Sequence, residues 1–181
     1  MASASIPLYS VDAFVGDASG SMITMGDAPR EGTKNFIEER RNYAASNSVN
    51  SDFICTIFSS ESTEVFSKKT KNISDDDIQS AVEAMTPQGA TLLIDTAYQV
   101  IEQMMGKIDD FKKSLTKEVL DLNPDIKAVC AILTDGQDNM STRKDKDLHR
   151  LITKFKNEYG GVVLFLAANQ DSISTGSKFG I

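Results

Sequence analysis

The chain has 181 residues, 40% of them hydrophobic and 25% charged, a balance that fits one globular domain around a sizeable core. A formal net charge of −7 and a pI near 4.7 argue against nucleic acid as a main partner, because phosphate binding requires a clustered basic face. No apolar run is long enough to span a bilayer, the opening MASASIPLYS lacks the charged and apolar regions of a secretory signal, and two cysteines imply no disulfide framework. The expectation is a cytoplasmic protein with no membrane partner.

The first strand is expected over Val11 to Val15, an apolar run that stops at Asp17. A helix follows from Ala28-Pro29, with Asp27 as N-cap and Pro29 in the first turn, where a missing N–H costs nothing. Phe36, Ile37, Tyr43 and Ala44 mark its buried side. Strands at Phe53 to Phe58 and Thr63 to Ser67 lie too close together for a crossover, so the second is an antiparallel edge strand guarded by Glu64 and the lysines after it. Lys68-Lys69-Thr70-Lys71 reads as a solvated turn.

Ser74 opens the next helix, with Asp77 in capping-box position. The triple aspartate Asp75-Asp76-Asp77 is therefore N-terminal helix charge rather than a metal site. The longest helix begins near Thr91, with Ala97, Val100, Ile101, Met104, Ile108, Phe111, Leu115 and Val119 at helical spacing. A fourth strand at Ala128 to Leu133, a helix from Asp145 to Tyr159 burying Leu148, Leu151, Ile152 and Phe155, and a fifth strand at Val162 to Ala168 complete the pattern. Every strand but Thr63 to Ser67 is nearly continuous in apolar residues, as in strands covered on both faces. The fold class is thus α/β: a Rossmann-like open, mostly parallel sheet with one antiparallel edge strand and helices on both faces, in a single domain over 1–181.

The chemistry gathers at "FVGDASGSM". Asp17, Ser19 and Ser21 stand at i, i+2 and i+4, which in an extended loop places all three side chains on one side. One carboxylate and two neutral hydroxyls are hard-oxygen donors, suited to Mg²⁺ or Mn²⁺ rather than zinc. Further oxygens come from Thr91, delivered by the Pro87-Gln88-Gly89-Ala90 loop, and from Asp135, which ends a buried strand in "LTDG". In open α/β sheets, sites form beyond the carboxyl ends of strands where strand order reverses. Each piece also reads alone as a turn, with Asp17 bonding backbone N–H groups.

Together, Asp17-x-Ser19-x-Ser21, Thr91 in "GATLL" and Asp135 in "LTDG" resemble the metal-ion-dependent adhesion site (MIDAS) of the von Willebrand factor A (vWA) family, over about Leu8 to Asn169. The resemblance implies that Ser19, Ser21 and Thr91 ligate the metal through their hydroxyls, with Asp17 and Asp135 acting directly or through water. The sixth position would go to a carboxylate from a protein partner. It also implies the strand order 3-2-1-4-5, which puts the first strand between Cys55 and Cys130 and leaves both thiols free. Larger members continue with another strand and helix, whereas residues 169–181 suffice for a loop and a short terminal helix. Either the sheet lacks its sixth strand or the sequence stops short of it. Asn169, Gln170 and Asp171 end the fifth strand on the site's side, where capping of a C-terminal turn is the first reading and a place on the rim the second.

Two other readings compete with a non-enzymatic binding module. A Mg²⁺-dependent phosphoryl-transfer enzyme would need a second acid two residues after Asp17, where Ser19 stands. Nucleophilic serine chemistry lacks a base, since His149, the only histidine, falls on a helix with surface neighbours. A structural subunit whose metal only staples loops is the third reading.

Overall fold

The computed structural model describes residues 8–136, 138–167, 176 and 179. Its core is a sheet of five strands among those residues, in the order β3-β2-β1-β4-β5. The strands are β1 (Leu8–Asp17), β2 (Asn50–Phe58), β3 (Ser62–Lys69), β4 (Asp125–Thr134) and β5 (Gly161–Ala167). β1 is parallel to both β2 and β4, and β4 is parallel to β5. Only β3 runs antiparallel, paired with β2 through a short hairpin. The expected fold class and strand order are those observed.

Alternation of side chains across the strands divides the core in two. On one face Val11, Ala13, Val15, Cys130 and Ile132 pack with α3 (Leu93–Ser114) and α5 (Asp145–Tyr159). On the other, Phe14, Phe53, Cys55 and Ala131 pack with α1 (Ala28–Asn47) and α2 (Asp75–Ala84). β5 departs from the expectation of strands covered on both sides. Val163 is buried, but Val162, Leu164 and Leu166 are exposed on the opposite face. Phe179 packs on the covered face against Phe165, with ring centroids 6.3 Å apart. The expectations at Ala168, Asn169, Gln170 and Asp171, and of a terminal helix, lie outside the described residues.

Local sequence explains most boundaries. Ser74 and Asp77 form the reciprocal capping box of α2, as expected. Lys68 and Lys69, however, belong to the end of β3 rather than to a solvated turn. Lys68 pairs with Asp77 at 2.7 Å, and Lys69 with Asp52 at 2.8 Å. Asp27 does not cap α1 with its side chain. The chain enters from a 3-10 turn (Gly20–Met25) through Gly26, and Asp27 is already helical, with φ −85° and ψ −8°. The long helix stops at Ser114, whose hydroxyl bonds back to the Phe111 carbonyl at 2.6 Å. Leu115 is extended, and Thr116 precedes the short α4 (Lys117–Leu120). Tyr43, expected to be buried, is 51% exposed on α1.

Cys55 and Cys130 sit in register with Phe14 and Ala13 of the intervening β1, so both thiols are free and buried. Burial pushes the Cys130 thiol up to about 12, which removes thiolate reactivity at neutral pH. The α5–β5 junction depends on two glycines. Gly160, at φ +64°, ends α5 in the left-handed region. A Cβ at Gly161 would overlap the Phe155 ring. Gly161→Ala is expected to cost about 1–3 kcal/mol through overpacking, read as a lower denaturant midpoint with an unchanged m-value.

Candidate functional site

Strand order reverses beside β1, whose sequence neighbour β2 lies on one side and β4 on the other. The carboxyl ends of β1 and β4 carry the two acids picked out above, Asp17 and Asp135. Asp17 is fully buried. Its Oδ1 accepts the Ser19 backbone N–H at 2.7 Å, and its Oδ2 accepts the Thr134 hydroxyl at 2.6 Å. Burial pushes its carboxyl pKa up, an effect the hydrogen bonds from Thr134 and Ser19 offset only in part. The turn reading and the site reading therefore describe the same atoms: Asp17 bends the chain so that the two serines can meet.

The serines meet by a different route from the one expected. The chain is extended only as far as Ser19, at φ −67° and ψ 162°, and then enters the 3-10 turn that contains Ser21. The hydroxyl oxygens of Ser19 and Ser21 stand 3.1 Å apart. Ser21 donates to Asp135 Oδ1 at 2.8 Å, across 114 residues of sequence. Ser19 and Asp135 are buried, whereas Ser21 faces solvent.

Thr91 approaches along the same edge, 4% exposed, just before α3. Its loop is tied to the serine loop by backbone bonds from Gln88 N–H to the Ala18 carbonyl (2.8 Å) and from Gly20 N–H to the Gly89 carbonyl (3.1 Å). Gly89 has φ +69°, and a Cβ there would overlap the Ser60 hydroxyl, so glycine suits this position on both counts. On the other side Asn139 clasps Thr91 twice. Its Oδ1 accepts the Thr91 N–H at 2.9 Å, and its own N–H donates to the Thr91 carbonyl at 3.1 Å. Asp138 and Asp95 extend this clasp, accepting from Ile94 N–H (3.1 Å) and Thr142 N–H (2.9 Å).

The structure thus gathers Asp17, Ser19, Ser21 and Asp135 through direct hydrogen bonds, with Thr91 on the adjoining loop. Sequence reasoning missed Thr134 and Asn139. Thr134 lay inside the quoted "LTDG", and only the pairing of β1 with β4 reveals that its hydroxyl reaches Asp17. Among the described residues no group of three His, Cys, Asp or Glu side chains could hold a metal ion. The candidate donors are instead a mixed set of hydroxyls and carboxylates, all oxygen. His149 is exposed on α5.

No protein-family model matches the chain, and no curated protein matches it. Solved structures do. Proximal thread matrix protein 1 (PTMP1) from the mussel byssus, with a zinc-occupied MIDAS motif, aligns at TM-score 0.51 and 21% identity over 90% of this chain and 36% of that one. A second crystal form of PTMP1 aligns at TM-score 0.50 and 23% identity, over 88% and 35%. The vWF domain of the type V pili tip protein Mfa5 from Porphyromonas gingivalis follows at TM-score 0.45 and 11% identity, over 75% and 40%. This chain spans about a third of the PTMP1 chains it matches. At these identities the likeness shows the fold, which is vWA-like.

Proposed function

We propose that this vWA-like domain is a non-enzymatic protein-binding module that holds Mg²⁺ or Mn²⁺ at Asp17, Ser19, Ser21, Thr91 and Asp135. The cation would receive an Asp or Glu carboxylate from a protein partner, in intracellular complex assembly. The observation that carries the reading is the oxygen spacing. Adjacent ligands of an octahedral ion with bonds of about 2.0–2.1 Å stand about 2.9 Å apart. The Ser19–Ser21 and Ser21–Asp135 oxygens are 3.1 and 2.8 Å apart, a spacing that suits adjacent ligands of a small hard cation.

Neutral hydroxyls leave such a cation under-compensated, so an incoming carboxylate gains a strong interaction in a partly dry site. Asp17, itself bonded by Thr134, would orient the ligands rather than quench the charge. Ile23, two residues after Ser21, and Met140, next to Asn139, are 71% and 48% exposed and offer apolar surface to a protein partner. The site loops are already joined by direct hydrogen bonds, which weakens the case for a metal acting only as a staple. The residue two after Asp17 is a buried serine, which leaves the phosphoryl-transfer reading without its general acid. The MIDAS of PTMP1 is a precedent for a divalent ion on this fold.

The test is affinity capture from the source organism's lysate in Mg²⁺ and in chelator, with wild type and Asp17→Ala. A protein retained by wild type only in metal, and lost by the variant, supports the reading. Capture that ignores both moves the function to another surface. Thr134→Val, which keeps shape and removes the hydroxyl, is expected to weaken Mn²⁺ affinity on the order of 10-fold by calorimetry while the hydroxyl ligands stay in place.

A further inference from the structure

At the far end of the sheet from the candidate site, a cavity of about 400 Å³ lies between the end of α1 and the start of β2. β2 runs parallel to β1, so its first residues, Asn50 and Ser51, stand at the edge opposite Asp17. Ala44 and Val49 give the cavity an apolar wall. Its polar lining includes Asn50, Ser51, Lys69 and Lys71, and no carboxylate lines it. In a chain of net charge −7, a cavity lined by two cations and no acid runs against the overall charge.

This end of the sheet also holds hydroxyls that nothing else satisfies. The outermost pair of the β2–β3 ladder is Asp52 with Lys69, and the residues just beyond it are Ser51 and Thr70. Ser51 is 4% and Thr70 1% exposed, and neither hydroxyl has a hydrogen-bond partner among the described residues. Buried hydroxyls are rarely left so, because each has given up its bonds to water. Lys69 is already engaged, donating to Asp52 Oδ2 at 2.8 Å and to Asn50 Oδ1 at 3.1 Å. The second bond turns the Asn50 amide so that its NH₂ group can donate elsewhere. Lys71 is exposed, and among the described residues no carboxylate pairs with it.

We propose that this cavity binds a phosphate oxyanion, either free or as the monoester of a small molecule. Lys71 supplies the charge, and Ser51 and Asn50 supply neutral donors to an acceptor-only group. A cation would find no carboxylate here, so the lining selects an anion. The negative end of α1 opposes that anion only in part, because the Ala44 carbonyl already accepts the N–H groups of Ser48 and Val49. Ala44 and Val49 leave wall for the body of an ester, and the volume falls within the range of small-molecule sites. The cavity is independent of the proposed metal centre.

The experiment is an amide NMR titration of the isotope-labelled chain with inorganic phosphate and with phenyl phosphate, in metal-free buffer held at constant ionic strength with chloride. Shifts are expected to saturate at residues 44–51 and 69–71, while Asp17 and Asp135 stay unmoved. Lys71→Gln should weaken binding about ten-fold, the scale of one charge-assisted hydrogen bond. Ser51→Ala should also weaken it, yet hold or raise the melting temperature in phosphate-free buffer, because it removes an unpaired buried hydroxyl. Added phosphate should then raise the melting temperature of wild type more than that of either variant. Tighter binding of phenyl phosphate assigns the cavity to a phosphorylated small molecule, and equal binding assigns it to free phosphate. Shifts that do not saturate, or that persist undiminished in both variants, overturn the proposal.

Discussion

Asp17→Ala and Thr91→Ala are each expected to abolish metal-dependent partner capture while the folded domain persists. The two substitutions reach the site from different elements, the end of β1 and the loop before α3, so a shared loss of capture is hard to assign to one local distortion. Asp17→Ala removes a buried carboxylate whose burial already disfavours its charge, and frees the Thr134 hydroxyl and the Ser19 N–H that it accepts. The stability change is a difference between relief of that burial and about 1–3 kcal/mol for newly unpaired polar groups, too small to unfold most domains. Thr91→Ala keeps the Thr91 backbone bonds to Asn139 and removes the hydroxyl together with one methyl group. Circular dichroism and denaturant melts run beside the capture assay separate the outcomes. Unfolding of both variants would favour a metal that staples loops. Undiminished capture by both would remove these residues from the site.

The second large effect is on stability. Arg40 on α1 donates through Nε (2.9 Å) and Nη2 (2.6 Å) to Asp12 Oδ2, and the Asp12 side chain is 3% exposed on the central strand. Arg40→Met leaves that carboxylate buried and unpaired, at an expected cost of about 3 kcal/mol at neutral pH. Burial pushes the Asp12 pKa up, and the charge and hydrogen bonds of Arg40 offset part of that rise. With Arg40 gone the native-state pKa rises further above its unfolded value, so the native state binds the proton more tightly. The deficit should therefore be smallest in acid and grow as pH rises through the native pKa. The double variant Arg40→Met, Asp12→Leu should recover most of the loss, because a well-packed apolar pair needs no charge compensation. A single-variant loss under about 1 kcal/mol with no pH trend would show that water already solvates Asp12.

Asp12 also marks a limit of sequence reading. It stands inside an apolar run, and only the placement of α1 over β1 identifies the cation that permits its burial. Patterns that depend on near neighbours read well: the capping box at Ser74 and Asp77, the short β2–β3 hairpin, and the apolar strands of the sheet centre. Patterns that depend on competition between elements read poorly. Leu115 and Val119 continue the helical spacing of α3, yet the Ser114 back-bond and the extended Leu115 break the helix. Tyr43 fits the buried stripe of α1, but lies where its ring meets the Arg40 guanidinium at 5.4 Å in solvent. In the candidate site, Asp17 and Asp135 could be picked out as acids at strand ends, and the structure brings Asp17, Ser19, Ser21 and Asp135 together by hydrogen bonds. The turn that brings Ser21 to Ser19, and the partners Thr134 and Asn139, were not legible, because each depends on contacts between segments far apart in sequence.

Binding of the cation itself tests the central claim most directly. Mn²⁺ titrated into the purified chain and followed by electron paramagnetic resonance should show one saturable site, competed by Mg²⁺ and lost in Asp17→Asn. Absence of saturable binding by wild type, or equal binding by Asp17→Asn, would contradict a metal site at the ends of β1 and β4.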